Sequence, residues 1–166
     1  MNIMQSILLA AGLTAGTAQA TLPKYRIFGL ESKPAIVIIH GFPGNATDWY
    51  HMAERLSQRY RVIVPDLLGF NHSQTNNASF HELWVESQAD RITALVDSLK
   101  IKSYYVIGHD LGTSIGVMVA ARHPERVKAL MIGSGNVLAD PKLNGMMRSA
   151  FWPVIGAVSR NVILSC

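Results

Sequence analysis

The stretch "YYVIGHDLGTSIG", residues 104–116, decides the fold. Its first half is a short apolar run of the kind that forms a strand buried on both faces. Its second half, from Leu111, predicts a helix of small and apolar residues that runs to Arg122, where His123 and Pro124 stop it. Between the two lies Asp110, in the pattern G-x-D-x-G, with Gly108 and Gly112 on either side. A sharp strand-to-helix corner lifts its central side chain above the sheet edge. Glycines at two-residue spacing remove the Cβ clashes that such a corner would create. Asp110 is thereby presented as a nucleophile. The following helix points its first backbone amides at the same space, so the Leu111 N–H is placed to donate to an oxyanion.

Outward from this corner, short apolar runs alternate with helical patterns. "AIVIIH" (35–40), "RVIVPD" (61–66) and "RVKALMIG" (126–133) read as strands, mostly without period-two alternation, which fits parallel strands covered on both sides. Trp49, Met52, Ala53, Leu56 and Tyr60 keep helical spacing, as do Val85, Ala89, Ile92, Leu95, Val96 and Leu99. Ser79 followed by Glu82 forms a capping box that would start the second of these helices. "KYRIF" (24–28) reads as an antiparallel edge strand. The expected fold class is α/β: a mainly parallel sheet with helices on both faces. In such sheets the chemistry gathers beyond the carboxyl ends of the strands. Three loops meet there: "HGFPG" (40–44), "PDLLGFNHS" (65–73) and the Asp110 corner. Phe42, in the first loop, is placed to supply a second oxyanion-binding amide beside that of Leu111.

Bulk properties limit what the corner can belong to. A chain of 166 residues, 49% hydrophobic and 16% charged, can bury one sizeable core. The net charge of +4 is dispersed: no Lys/Arg run exceeds two residues and no aromatic-basic interleaving occurs, so no nucleic-acid partner is expected. Residues 1–23 carry no charged side chain, and "ILLAAGLTAG" followed by Ala18-Gln19-Ala20 has the apolar core and small-x-small site of a signal peptide cleaved before Thr21. The first six residues lack Lys and Arg, so the alternative is a loosely ordered N-terminus. With the signal the protein is periplasmic or secreted, and without it cytoplasmic. No stretch offers the roughly 20 apolar residues of a membrane span, so stable membrane association is not expected. Cys166 is the single cysteine and fits no disulfide, metal or catalytic spacing.

Over about residues 24–140 the sequence resembles the α/β-hydrolase family. An Asp in the G-x-D-x-G elbow, together with "HGFP", is similar to the epoxide hydrolase and haloalkane or haloacetate dehalogenase branch. The resemblance implies Asp110 as nucleophile, the backbone N–H groups of Phe42 and Leu111 as oxyanion hole, and His40, Gly41, Pro43, Gly108, His109 and Gly112 in support. It implies a small-molecule substrate, an epoxide or organohalide, and neither cofactor nor metal; no P-loop or dinucleotide fingerprint occurs. Aspartate sets the reaction class. A carboxyl group with an ordinary pKa of about 3.9 is anionic at neutral pH and needs no base before it attacks. It suits displacement at a saturated carbon, giving an alkyl ester that an activated water then cleaves.

The family's triad runs nucleophile, acid, His along the chain. Downstream of Asp110 the only histidine is His123, at the helix stop, and Asp140 reads as a loop residue near the place where some relatives carry an acid. Segment 141–166 resembles the start of the family's cap, or a non-native tail. The expectation is a fold truncated before the cap and final strands, and a chain unable to turn over. Its three domain segments are then 1–20, 21–140 and 141–166. Among other candidates, His40 is expected to order its loop, and His109 to point away from the cleft by strand alternation. Turn chemistry accounts for Asp66 beside His72. Asp48 and His51 share a helix face but lack further ligands. Three functions stand: an exported epoxide hydrolase, a dehalogenase, and a non-catalytic remnant. Leu111 in place of a halide-binding Trp, and Phe42 in place of Asn, weigh against the haloalkane type.

Overall fold

The computed structural model describes residues 22–73 and 78–135. The expected signal segment 1–20, Asp140, segment 141–166 and Cys166 lie outside the described residues.

Five strands form one sheet: β1 (Tyr25–Phe28), β2 (Ala35–Ile39), β3 (Arg61–Pro65), β4 (Tyr104–His109) and β5 (Val127–Gly133). Their order is β1-β3-β2-β4-β5, with β1 antiparallel to β3 and every other pairing parallel. The antiparallel edge strand and the parallel core both agree with the sequence. β2 is buried at all five residues, and its alternate side chains serve two different cores. Ile36 and Ile38 pack with Val62, Val64 and Ala53, the last from helix α1 (Tyr50–Leu56). Val37 and Ile39 face the other way, among Ile92, Leu95 and Val96 of α2 (Val85–Ser98) and Ile115 and Val119 of α3 (Leu111–Arg122). Each such aliphatic side chain contributes about 1.5–3 kcal/mol on burial. Helices therefore lie on both faces.

Three local expectations change. The Ser79–Glu82 capping box is formed, but it caps a 3-10 turn at Phe80–Leu83; Trp84 then takes extended backbone and α2 begins at Val85. The helix expected from Trp49 to Tyr60 is divided into a 3-10 turn at Ala46–Trp49 and the shorter α1. Tyr60 lies past the end of α1 and joins the Ile36 core from there. β5 is not sheathed on both faces: Met131 is 57% and Ile132 52% exposed, and among the described strands β5 pairs with β4 alone. α3 spans the residues the sequence assigned to it, and His123 is its C-cap.

Candidate active site

Parallel strand direction brings the ends of β2, β3 and β4 to one edge of the sheet. β4 lies between β2 and β5 and delivers Asp110 to that edge, with the Asp110 N–H donating to Gly133 O at 3.0 Å. Asp110 has φ 54° and ψ −120°, a conformation that costs a non-glycine residue about 1–3 kcal/mol. The corner is held in place by what surrounds it. Thr113 N–H donates to Asp110 O at 3.0 Å, and Thr113 Oγ1 donates to Gly108 O at 3.1 Å or Gly133 O at 3.2 Å. Glycine is required by closeness. A Cβ on Gly112 would lie 2.1 Å from Ile39 O, one on Gly108 2.4 Å from Gly112 O, and one on Gly41 2.3 Å from Asp110 Cβ. Residues 41, 108 and 112 thus let the end of β2 and the start of α3 close around the carboxylate.

Asp110 Oδ1 accepts two backbone hydrogen bonds, from Phe42 N–H at 2.9 Å and from Leu111 N–H at 2.6 Å. These are the two amides the sequence paired. Their acceptor in this structure is the carboxylate itself. Among the described residues Oδ2 accepts no hydrogen bond, and Asp110 is half-buried, so that oxygen is the one left for a reacting atom. Pro43 follows Phe42 through a cis peptide bond.

His40 is fully buried. Nδ1 lies 3.0 Å from Gly41 O, and Nε2 accepts from Leu67 N–H at 3.0 Å. Burial pushes its pKa below the ordinary 6.5, against the opposing pull of the Gly41 carbonyl, Asp66 and Asp48. Its ring packs edge-on to Phe70, which also meets Phe42.

His109, expected to point away from the cleft, has its ring in an open space beside the loop after β2. It is exposed, stacks edge-on to Trp49 at 5.8 Å between centroids, and lines a cavity of about 310 Å³ with Gly41, Phe42, Pro43, Trp49 and Met52. Asp110 lies outside that lining, one residue away. His123 is excluded as a partner for Asp110, because it sits at the far end of α3, and a helix of 12 residues is about 18 Å long. Its Nδ1 faces Glu125 at 3.9 Å.

Asp66 does more than turn chemistry. It is buried, and Oδ1 accepts from Ala46 N–H at 2.9 Å across 20 residues of sequence, while Oδ2 faces His72 Nδ1 at 3.0 Å. It joins the loop after β2 to the loop after β3. A buried carboxylate directly after an apolar strand was the available signal, since such a group must find donors. Asp48 is engaged in the capping box of its own 3-10 turn, whose cap is Asn45, accepting from Asn45 N–H at 2.9 Å.

Residues 34–153 match the family described as alpha/beta hydrolase fold. The chain belongs to that family. An uncharacterized protein of Mycobacterium tuberculosis is 34% identical over 131 residues, covering 78% of this chain and 36% of the relative. The curated relatives are matched over between 31% and 41% of their lengths. Among solved structures, an ancestral haloalkane dehalogenase superposes with a TM-score of 0.70 at 25% identity, covering 80% of this chain and 48% of that one. An epoxide hydrolase from Bacillus megaterium superposes with a TM-score of 0.64 at 25% identity, covering 69% and 39%.

Proposed function

We propose that this chain carries the nucleophile half of an α/β-hydrolase site that attacks saturated carbon, with epoxides as the substrate class. One observation carries the reading: the side chain at the strained elbow is a carboxylate, and one of its oxygens already sits between the Phe42 and Leu111 amides. That division of labour suits the chemistry. Oδ2 donates an electron pair to an epoxide carbon, the ring C–O bond breaks, and the ring oxygen leaves as an alkoxide that takes a proton from water. Oδ1 becomes the carbonyl oxygen of the new ester. Water adding to that carbonyl would place negative charge on Oδ1, where the two N–H groups already point.

Hydrolysis of the ester needs a base, and among the described residues no histidine is hydrogen-bonded to Asp110. Both His40 nitrogens are used, His72 pairs with Asp66, and His123 lies at the far end of α3. The expected behaviour of the 166-residue chain is therefore one alkylation without turnover. After incubation with styrene oxide, intact-mass spectrometry should find a single adduct that persists and that Asp110→Asn abolishes. A wild-type mass left unmodified by styrene oxide, chloroacetate and a chloroalkane alike would sink the nucleophile assignment. Dehalogenation is the second reading, favoured by the superposition on the ancestral dehalogenase. It predicts an adduct with chloroacetate or a chloroalkane and none with the epoxide. The export reading of residues 1–20 is kept as a proposal, and N-terminal sequencing of the expressed protein should then begin at Thr21.

A further inference from the structure

We propose that the amino-terminal edge of the sheet, opposite Asp110, is a basic face that docks reversibly on an anionic phospholipid surface. The net charge of +4 is dispersed along the sequence, but the topology gathers it. Ala35 lies beside both Arg61 and Tyr104, and Tyr104 beside Val127, so β2, β3, β4 and β5 all start at this one edge. The segments leading into them carry Lys33, Arg59, Lys100, Lys102 and Arg126. The acids beside these cations are already engaged. Glu31 pairs with Arg61 at 3.5 Å, Asp97 pairs with Arg126 at 2.7 Å, and Glu125 faces His123 at 3.9 Å. Glu54, in the last turn of α1, is offset by Arg55. Among the described residues Lys33, Arg59, Lys100 and Lys102 keep their charges without a carboxylate partner. Lys33 Nζ donates to the Ser57 and Gln58 carbonyls at 2.8 and 3.1 Å, and the other three residues are exposed.

Helices α1 and α2 end at this edge, and a cation beside a helix C-terminus offsets its dipole, which accounts for Lys33. Two further features point outward to a partner. Lys100 follows the C-cap of α2 with φ 56°, its N–H donating to Asp97 O at 2.9 Å and the next N–H, of Ile101, to Val96 O at 3.0 Å. That is the left-handed position that favours glycine, yet it holds a lysine whose ammonium makes no bond among the described residues. Leu30 is 65% exposed in the turn between β1 and β2. Its neighbour Gly29 lies so close to the end of α1 that a Cβ there would be 2.2 Å from Tyr60 O and 3.0 Å from Ser57 O, which sets Leu30 beside the Arg59 turn. An apolar side chain raised among cations fits a bilayer surface, where headgroup phosphates meet the charges and acyl carbon meets the leucine. A nucleic acid offers Leu30 nothing, and the exposed rings that could stack on bases, Tyr25 and Trp84, lie toward the other edge. In this orientation Asp110 stands beyond the far end of the six-residue β4, about 20 Å from the lipid, and opens to water.

The test uses the full 166-residue chain and sedimentation with sucrose-loaded vesicles, either phosphatidylglycerol mixed with phosphatidylcholine or phosphatidylcholine alone, at about 0.1 M salt. Each cation near an anionic bilayer contributes about fivefold, so the four together should give roughly a several-hundredfold preference for the anionic vesicles, lost at about 0.5 M salt. The double substitution Lys100→Gln with Lys102→Gln should weaken binding by about twentyfold. Lys24→Gln with Arg26→Gln removes the same net charge from the start of β1, toward the other edge, and should weaken binding by less than about twofold, because that end lies beyond the screening length. Leu30→Ser should weaken vesicle binding by about fourfold or more, the contribution of one buried methylene group, and leave binding to a DNA duplex unchanged. Equal losses in the two double variants would overturn the proposal. So would wild-type protein that binds both kinds of vesicle alike or stays bound at high salt, since the uncharged segment 1–20 would then be the attachment. A wild type that prefers the duplex to the anionic vesicles, with Leu30→Ser indifferent on both, would refute the lipid as partner. Should the Lys100 and Lys102 double variant fail to fold, Arg59→Gln decides: a loss of about fivefold is required, and wild-type binding refutes the basic face.

Discussion

Replacing Gly112 by Ala sets two effects of known size against each other. In a helix interior the change normally favours folding by about 1 kcal/mol, because alanine restricts the unfolded chain. Here the new methyl carbon would stand 2.1 Å from Ile39 O and 2.6 Å from His40 O, both backbone atoms at the end of a fully buried strand. Neither can rotate away, so α3 must shift bodily from β2. Overpacking of this kind costs about 3 kcal/mol or more, which leaves a net loss of about 2 kcal/mol. Gly116, one turn further on, is the control. Its added carbon would meet Val106 Cγ1 at 3.1 Å and Leu130 Cδ1 at 3.2 Å, side-chain ends that can yield, and the helix gain should roughly offset the crowding. Urea denaturation followed by circular dichroism should show a lower midpoint for Gly112→Ala at unchanged slope, and a midpoint near wild type for Gly116→Ala. Equal midpoints for the two variants would refute the close-approach argument. A Gly112→Ala protein as stable as wild type would show that the elbow does not need the contact.

Two further substitutions test the interior. His40 has a folded pKa below its unfolded value, so the unfolded chain binds the extra proton first: its contribution to stability is complete above about pH 6.5 and is lost as pH falls through the depressed value. The wild type should lose stability through that window more steeply than His40→Asn, as read by thermal melts at stepped pH, and parallel curves would contradict the assignment of a buried neutral ring. Tyr104 is fully buried and its hydroxyl has no partner among the described residues. Tyr104→Phe removes an unsatisfied polar atom and should leave stability unchanged or raised by about 1 kcal/mol, whereas a loss of that size would reveal a hidden partner.

The elements legible in the sequence are those in which one physical rule dominates. The apolar runs at 35–40, 61–66 and 104–108 had to be strands of a covered parallel sheet. The helix from Leu111 to Arg122 begins at a glycine corner and ends where Pro124 forbids its continuation. The pairing of the Phe42 and Leu111 amides was legible too, since both follow from where parallel strands end. What escaped the sequence depends on contacts at long range. The capping box at Ser79 is a local signal and formed locally, but nothing local reports that Trp84 turns extended before α2. The exposure of Met131 and Ile132 is set by what lies beside β5, which the run of apolar residues does not encode. Asp66 looked like a turn residue because its farther partner, Ala46, lies 20 positions away. Alternation was taken to turn His109 away from the cleft, but alternation is silent on open space, and the ring lines a cavity with Gly41, Phe42 and Pro43.

The carboxylate resting between two peptide N–H groups has a consequence for inhibition. Phosphonates and boronates that trap serine hydrolases do so by seating an anionic oxygen in a vacant amide pair. In this protein the seat is occupied before any reagent arrives, so such compounds gain nothing there, and on the proposed reading of Asp110 selectivity falls to agents that alkylate its other oxygen.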